Sequence, residues 1–239
     1  MLKYGKTELI NTAYLEQGAV ENPVILLLHG WPDDASTWDQ LMPKMSDNGY
    51  RTIVPWLRGF GEMTFLQENI PRTGNPGIIA LDMIELMDSL NIEQLNIVGH
   101  DWRANVAEAI AIGWPDRVNK VAFISSPPGF GDTPAANFKH AQLQWYHWFM
   151  ATKIGEKEVC RDPIAFARIM WENWAPVGWF KEETYQEVSK SWLNPDFTAV
   201  TLHSYRSRWG EEEVDEKSRE LEMKIRAIDK FKQPALYDN

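Results

Sequence analysis

Short apolar runs punctuate the first half of the chain: Pro23-Val-Ile-Leu-Leu-Leu-His29, Arg51-Thr-Ile-Val54, Leu95 to Val98, and Lys120-Val-Ala-Phe-Ile124. They are continuous rather than alternating, which is the pattern of strands covered on both faces. Between them, apolar residues recur at helical spacing: Trp38, Leu41, Met42 and Met45, then 79, 83, 86, 87 and 90, then the stretch 102–113. Strands that alternate with helices predict an α/β domain built on a mainly parallel sheet. Residues 8–17 predict a further strand, expected to pair with the apolar segment that follows it.

The pattern breaks at Ser125-Ser-Pro-Pro-Gly129. From Pro134 to about Arg219 the spacing predicts helical segments (138–152, 162–174, 181–192, 196–208) and no strand. This is a helical insertion on the functional edge of the sheet. Glu211 to Arg219 is a charged stretch, expected as a solvated helix face or loop, and 228–237 looks like the approach to another strand. The predicted organisation is a core over 1–133, a helical cap over 134–219 and a return to the core over 220–239.

Composition narrows the function classes. A net charge of −10 and a pI near 5.0 argue against a nucleic-acid surface. No apolar run reaches the roughly 18–20 residues of a membrane span. Met1-Leu-Lys-Tyr-Gly-Lys lacks the apolar centre of a signal peptide, and the one cysteine, Cys160, suits a reducing compartment, so a cytoplasmic location is expected. There is no Cys/His cluster at ligand spacing and no G-x-G-x-x-G after a strand, so neither metal nor cofactor is implied. Of the 12 tryptophans, Trp145, Trp148, Trp171, Trp174, Trp179, Trp192 and Trp209 lie after residue 140. Such an aromatic cap fits the lining of an apolar pocket as well as plain core packing.

The chain's chemistry centres on residues 96–107, Asn-Ile-Val-Gly-His-Asp-Trp-Arg-Ala-Asn-Val-Ala. An apolar strand stops at Gly99, one acid follows, and a helix begins at once. Asp101 thus occupies the tip of a strand–turn–helix, facing the N–H groups of the helix start. Two readings fit this stretch alone: a carboxylate presented to attack carbon, or an aspartate capping the helix. A tight elbow needs small neighbours. Gly99 and Ala104 are small; Arg103 is not, and is expected to press on a neighbouring strand or reshape the turn, with further strain at positive φ.

With these residues in place, the sequence resembles the α/β-hydrolase fold, in its epoxide-hydrolase and haloalkane-dehalogenase branch, from about residue 8 onward. His29-Gly-Trp-Pro-Asp33 is similar to that branch's oxyanion loop, Arg58-Gly-Phe-Gly61 to the loop after its next strand, and Gly99-His-Asp-Trp102 to its nucleophile elbow. The resemblance implies a cap inserted after the sixth strand. It makes Asp101 the nucleophile, the backbone N–H groups of Trp31 and Trp102 the oxyanion donors, and His29, Gly30 and Pro32 parts of the oxyanion loop, with a cis Trp31-Pro32 bond. Gln144-Trp-Tyr-His-Trp148 and Leu202-His-Ser-Tyr-Arg-Ser-Arg-Trp209 are similar to the segments of the branch's two cap tyrosines, which makes Tyr146 and Tyr205 the acids that protonate an epoxide oxygen. Tyr185 lacks either context.

The family's base histidine and its acid lie after the later strands, and His29, His100, His140, His147 and His203 match neither. The resemblance therefore implies a chain lacking the C-terminal strands, helix, base and acid, one that alkylates but does not hydrolyse efficiently. Self-association through the sheet edge so exposed is expected. The implied substrate is small, apolar and electrophilic, with no nucleic-acid or membrane partner. Two further readings stand beside the epoxide one: a non-catalytic hydrolase fold serving as a binding module, and a dehalogenase-like site in which ring N–H groups hold a halide.

Overall fold

The computed structural model describes residues 2–126, 137–228 and 230–238, with the backbone alone at His140. Residues 2–17 form an antiparallel hairpin, β1 (Leu2–Lys6) and β2 (Ile10–Gln17). The apolar runs follow as β3 (Val24–Leu28), β4 (Arg51–Pro55), β6 (Leu95–His100) and β7 (Val118–Ile124), with a two-residue strand β5 (Thr64–Phe65) between β4 and β6. The last strand is β8 (Ala235–Asp238). The sheet order is β1-β2-β4-β3-β6-β7-β8, with β5 on β2; β4 through β8 are parallel along this path and the hairpin side is antiparallel.

One expectation needs correction. The 8–17 segment does not pair with the next apolar run. Both edges of β3 are taken by its parallel neighbours β4 and β6, as its all-buried composition demands, so β2 pairs with β4 instead. The cap follows β7, the sixth strand on the main path of the sheet, β5 being a two-residue strand set off that path on β2.

Alternate residues of β3 serve opposite faces. Ile25 and Leu27 pack with Trp38 and Met42, the latter on α1 (Leu41–Asp47). Leu26 and Leu28 pack with α2 (Pro76–Ser89) and α3 (Ala104–Gly113) in the larger core. The cap comprises α4 (Phe138–Leu143), α5 (Trp145–Ala151), α6 (Lys153–Arg161), α7 (Pro163–Trp174), α8 (Glu182–Ser189) and α9 (Phe197–Arg208). The single helix expected over 138–152 is thus divided, and α6 is an addition. Thr152 explains it: its hydroxyl accepts the Gly155 N–H at 3.0 Å and starts a new helix. Asp162 caps α7 in the same way through Ala165 N–H, at 2.8 Å.

The charged stretch leads into α10 (Glu216–Arg226), capped by Asp215 and packed on α2 and α3 through Leu221. This helix runs across residue 219. The expected junction at 133–134 lies outside the described residues. Among those described, no helix is long and apolar enough to cross a membrane.

The loop after β4 is fixed by a buried ion pair. The Arg58 guanidinium grips both Asp82 oxygens on α2, Nη2 at 2.9 Å, and Nη1 donates to Thr73 Oγ1 at 3.1 Å. Burial pushes the Asp82 carboxyl up to about 6 against the pull of Arg58, which leaves it ionised at neutral pH. Asp82→Ala strands the guanidinium in the core, and such losses cost roughly 3–5 kcal/mol. Urea unfolding at pH 7 should show a fall of that size.

Candidate active site

β3 and β6 run side by side with Leu28 opposite Gly99, so the loops leaving their C-terminal ends meet. Chain order reverses here, β4 lying to one side of β3 and β6 to the other, which opens a crevice at the strand ends. Asp101 sits at the reversal, in a 3-10 turn (Asp101–Arg103) between β6 and α3, at φ 55. That left-handed backbone costs a non-glycine residue roughly 1–2 kcal/mol. Arg103 takes φ −85, so the strain expected of it falls on Asp101. A Cβ on Gly99 would lie 2.5 Å from the Arg103 carbonyl oxygen and 2.7 Å from Ala104 Cα; only glycine lets the strand pass under the turn. At Gly30 a Cβ would lie 2.8 Å from Asp101 Cβ, so this loop too depends on a missing side chain.

The close approach brings the Trp31 N–H to Asp101 Oδ1 at 3.1 Å, while the Trp102 N–H also bonds the carboxylate. Burial raises the Asp101 pKa; these two amides oppose that, and the charge of Arg103 does so more weakly. The Trp31-Pro32 peptide is cis. The Pro32 carbonyl accepts Trp192 Nε1–H from the cap at 2.6 Å. Beside it, Asp34 accepts from Ser191 Oγ at 2.5 Å and from Trp56 Nε1 at 3.3 Å, so the loop after β3 is stapled to the turn that follows α8.

The cap places both predicted tyrosines over this point. Tyr146 on α5 stacks on Trp31 (centroids 6.0 Å apart, 9° between planes), and Tyr205 on α9 stands edge-on to Trp31 at 5.1 Å and to Trp102 at 4.9 Å. The two tyrosine rings are 5.6 Å apart. Both phenols are raised above their ordinary pKa, by burial first; Asp101 adds to the rise in each, so they remain O–H donors at neutral pH. The Tyr205 hydroxyl is buried with no partner among the described residues. Tyr185 is elsewhere, donating to the Ile164 carbonyl at 2.6 Å.

A family model for the alpha/beta hydrolase fold matches residues 23–236. The chain belongs to this family. A crystal structure from Klebsiella pneumoniae subsp. pneumoniae, provisionally named an epoxide hydrolase, superposes on 99% of this α/β-hydrolase with a TM-score of 0.94 at 31% identity, covering 79% of that chain. Among curated relatives, an epoxide hydrolase of Caballeronia sordidicola is 36% identical over 126 residues, and a fluoroacetate dehalogenase of Burkholderia sp is 28% identical over 192 residues. These matches take in 51% and 77% of this chain and only 36% and 62% of the relatives' lengths.

Two residues packed against these rings escaped the sequence reading. His147, which the sequence matches to neither the family's base nor its acid, is 1% exposed; it packs on Tyr146 and Tyr205 at 4.4 and 4.7 Å, and its Nδ1 accepts from Trp209 Nε1. Arg208 lies over the Trp102 ring, 4.2 Å from the centroid. The available signal was its i, i+3 spacing from Tyr205, which puts both on one face of α9.

The other described histidines serve structure. His29 donates from Nδ1 to the Gly30 carbonyl (2.9 Å) and accepts the Leu57 N–H at Nε2 (3.2 Å), tying the oxyanion loop to the Arg58 loop. His100 packs edge-on against Trp38, and His203 accepts the Gly74 N–H. Among the described residues no group of three or more His, Cys, Asp and Glu is placed to hold a metal.

Burial lowers His29 to about 4 and His147 to about 3, the charge of Arg208 adding to the latter. The unfolded chain then binds protons the folded one refuses, so stability present above the ordinary 6.5 is lost as pH falls towards these values. At pH 5 each histidine removes on the order of 2 kcal/mol. Urea unfolding at pH 7 and pH 5 should show about that much less pH dependence in His147→Phe than in the wild type. The raised carboxyls Asp82 and Asp101 act in the opposite sense but are common to both proteins.

Proposed function

We propose that this chain is an epoxide-hydrolase-like enzyme acting on a small, largely apolar epoxide through Asp101. The observation that carries the reading is a carboxylate at a left-handed elbow, held by the Trp31 and Trp102 amides beneath Tyr146 and Tyr205. An Asp101 oxygen forms a C–O bond to an epoxide carbon as the ring C–O bond breaks, and Tyr146 or Tyr205 gives its proton to the released alkoxide. The alkoxide is the stronger base, so phenols of raised pKa still protonate it. The product is an alkyl ester whose carbonyl oxygen rests on the two amides, the donors that stabilise an oxyanion when water attacks. The epoxide-hydrolase names of the relatives from Caballeronia sordidicola and Klebsiella pneumoniae support the same reading.

One observation favours a second reading. The Trp31 indole Nε1–H is buried without a partner among the described residues, and a halide leaving group would accept it. This gives the dehalogenase-like alternative its support, beside the likeness to the Burkholderia enzyme. Free halide after incubation with a haloalkanoate, with styrene oxide unreacted, would select it.

The decisive experiment is intact-protein mass after incubation with styrene oxide, with the diol assayed in parallel. The wild type should gain one epoxide mass or release phenyl glycol, and Asp101→Asn should do neither. Tyr146→Phe and Tyr205→Phe should slow the reaction by roughly 10²–10⁴-fold, the usual share of a general acid. Because burial raises the Asp101 carboxyl, the rate should already fall at a pH above the ordinary carboxylate range. Equal labelling of Asp101→Asn overturns the nucleophile assignment, and neither adduct nor diol in the wild type returns the site to a binding role.

A further inference from the structure

Among the described residues the cap leaves three tryptophans 40% or more exposed: Trp145, Trp174 and Trp179. They differ in what lies beneath them. Trp179 folds back on α7, its Nε1 donating to the Trp171 carbonyl at 3.1 Å and its ring 4.9 Å from that of Trp171. Trp145 packs on Tyr146, Phe149 and Phe166. Trp174, 45% exposed, is the one whose ring meets both Trp31, at 6.0 Å, and Tyr146, at 5.0 Å. The planes are inclined by 61° and 60°, so the indole is stacked on neither. Its place as the last residue of α7 explains the exposure. Ala175 is extended, Val177 stands wholly in solvent and Gly178 turns at φ 78, so the chain leaves Trp174 and returns only at Trp179. A large aromatic ring is thus held half in water, against two of the rings that surround Asp101.

We propose that Trp174 is a specificity-determining residue at the outer end of the site, and that the substrate is an epoxide carrying a flat aromatic ring on a short spacer, the ring lying against Trp174. This rests on the reading of Asp101 as nucleophile for the epoxide end, but not for the ring end. Continuity with the site fixes the occupant. Trp31 joins the two ends, since its N–H bonds Asp101 at 3.1 Å and its indole touches Trp174. A substrate that spans them is as long as a tryptophan residue from amide to ring, with a further ring contact beyond. Styrene oxide, whose phenyl is bonded to the epoxide itself, stops short of that point; an aryl glycidyl ether reaches it. The walls along the way, Trp31, Tyr146 and Phe166, are buried rings that accept an apolar body. A ring laid on Trp174 then covers apolar surface now left to water and adds the attraction of one π-system for another.

The test separates ring binding from chemistry. Titration calorimetry compares the diols that correspond to phenyl and cyclohexyl glycidyl ether, which match in length and differ in the flatness of the ring. The phenyl diol should bind roughly two- to tenfold more tightly, the worth of an aromatic pair. That ratio should fall to one in Trp174→Ala and be retained in Trp174→Phe. In parallel, epoxide consumption is followed with protein in excess. For phenyl glycidyl ether, Trp174→Ala should raise the half-saturating concentration and leave the limiting rate unchanged; propylene oxide, too short to reach the ring, should be consumed as before. Equal diol affinities in the wild type, undetectable binding of the phenyl diol at millimolar concentration, or a ratio unchanged in Trp174→Ala each overturn the proposal. So does faster consumption of propylene oxide in Trp174→Ala, which would make the ring a shutter, and so does a smaller sedimentation coefficient in that variant, which would give the ring to a second copy. A ring preference among the diols with neither ether consumed would refute the epoxide reading and leave the ring site standing. Consumption of both ethers at one half-saturating concentration would do the reverse.

Discussion

A carboxylate held at the end of a buried strand by two backbone amides is the constraint around which this molecule is arranged. To receive the Trp31 and Trp102 N–H groups, Asp101 adopts a left-handed backbone, and the strand below and the loop beside it must carry no side chain. Gly99 and Gly30 meet those conditions. The parallel register of β3 and β6 then decides which two loops touch. The sheet, in this sense, is a device for bringing positions 30 and 101 together.

The cap supplies what the sheet cannot. Strand ends present backbone donors and one acid, but not the aromatic rings and phenol hydroxyls that lie over them. Tyr146 and Tyr205 come from two separate helices, and their rings converge because both pack on Trp31. The cap is seated by hydrogen bonds from Ser191 to Asp34 and from Trp192 to the Pro32 carbonyl, on the loop after β3, and from Asn194 to the Gly61 and Met63 carbonyls. One loop therefore both reaches Asp101 and carries the cap above it. His29 extends the arrangement downward by joining that loop to the segment anchored by Arg58 and Asp82.

The elements that were legible in the sequence are those whose chemistry is local. A continuous apolar run predicts a central strand, and β3 is one; a lone acid between strand and helix predicts an elbow, and Asp101 is at its apex. What the pattern could not show is partnership across space. Ile10–Gln17 reads as a strand, but its pairing depends on which edges β3 leaves open. β5 is two residues long and has no period to detect. His147 and Arg208 lie on helices whose burial is decided by other helices, so a residue that reads as solvent-facing in one dimension is covered in three. Arg103 looked like a defect of the turn because its side chain is large; the structure spares its backbone and buries the charge.

The site is also the most non-local part of the molecule. The bond from Trp31 to Asp101 joins positions 70 apart, and that from Trp192 to Pro32 joins positions 160 apart. Contacts so distant in sequence form only after long loops have closed, whereas helices and the β1–β2 hairpin form locally. A chain with its secondary structure complete and its cap undocked would have the spectrum of a folded protein without the contacts that join Trp31, Pro32 and the cap. The site therefore depends on chain closures of far greater span than those that make the local elements.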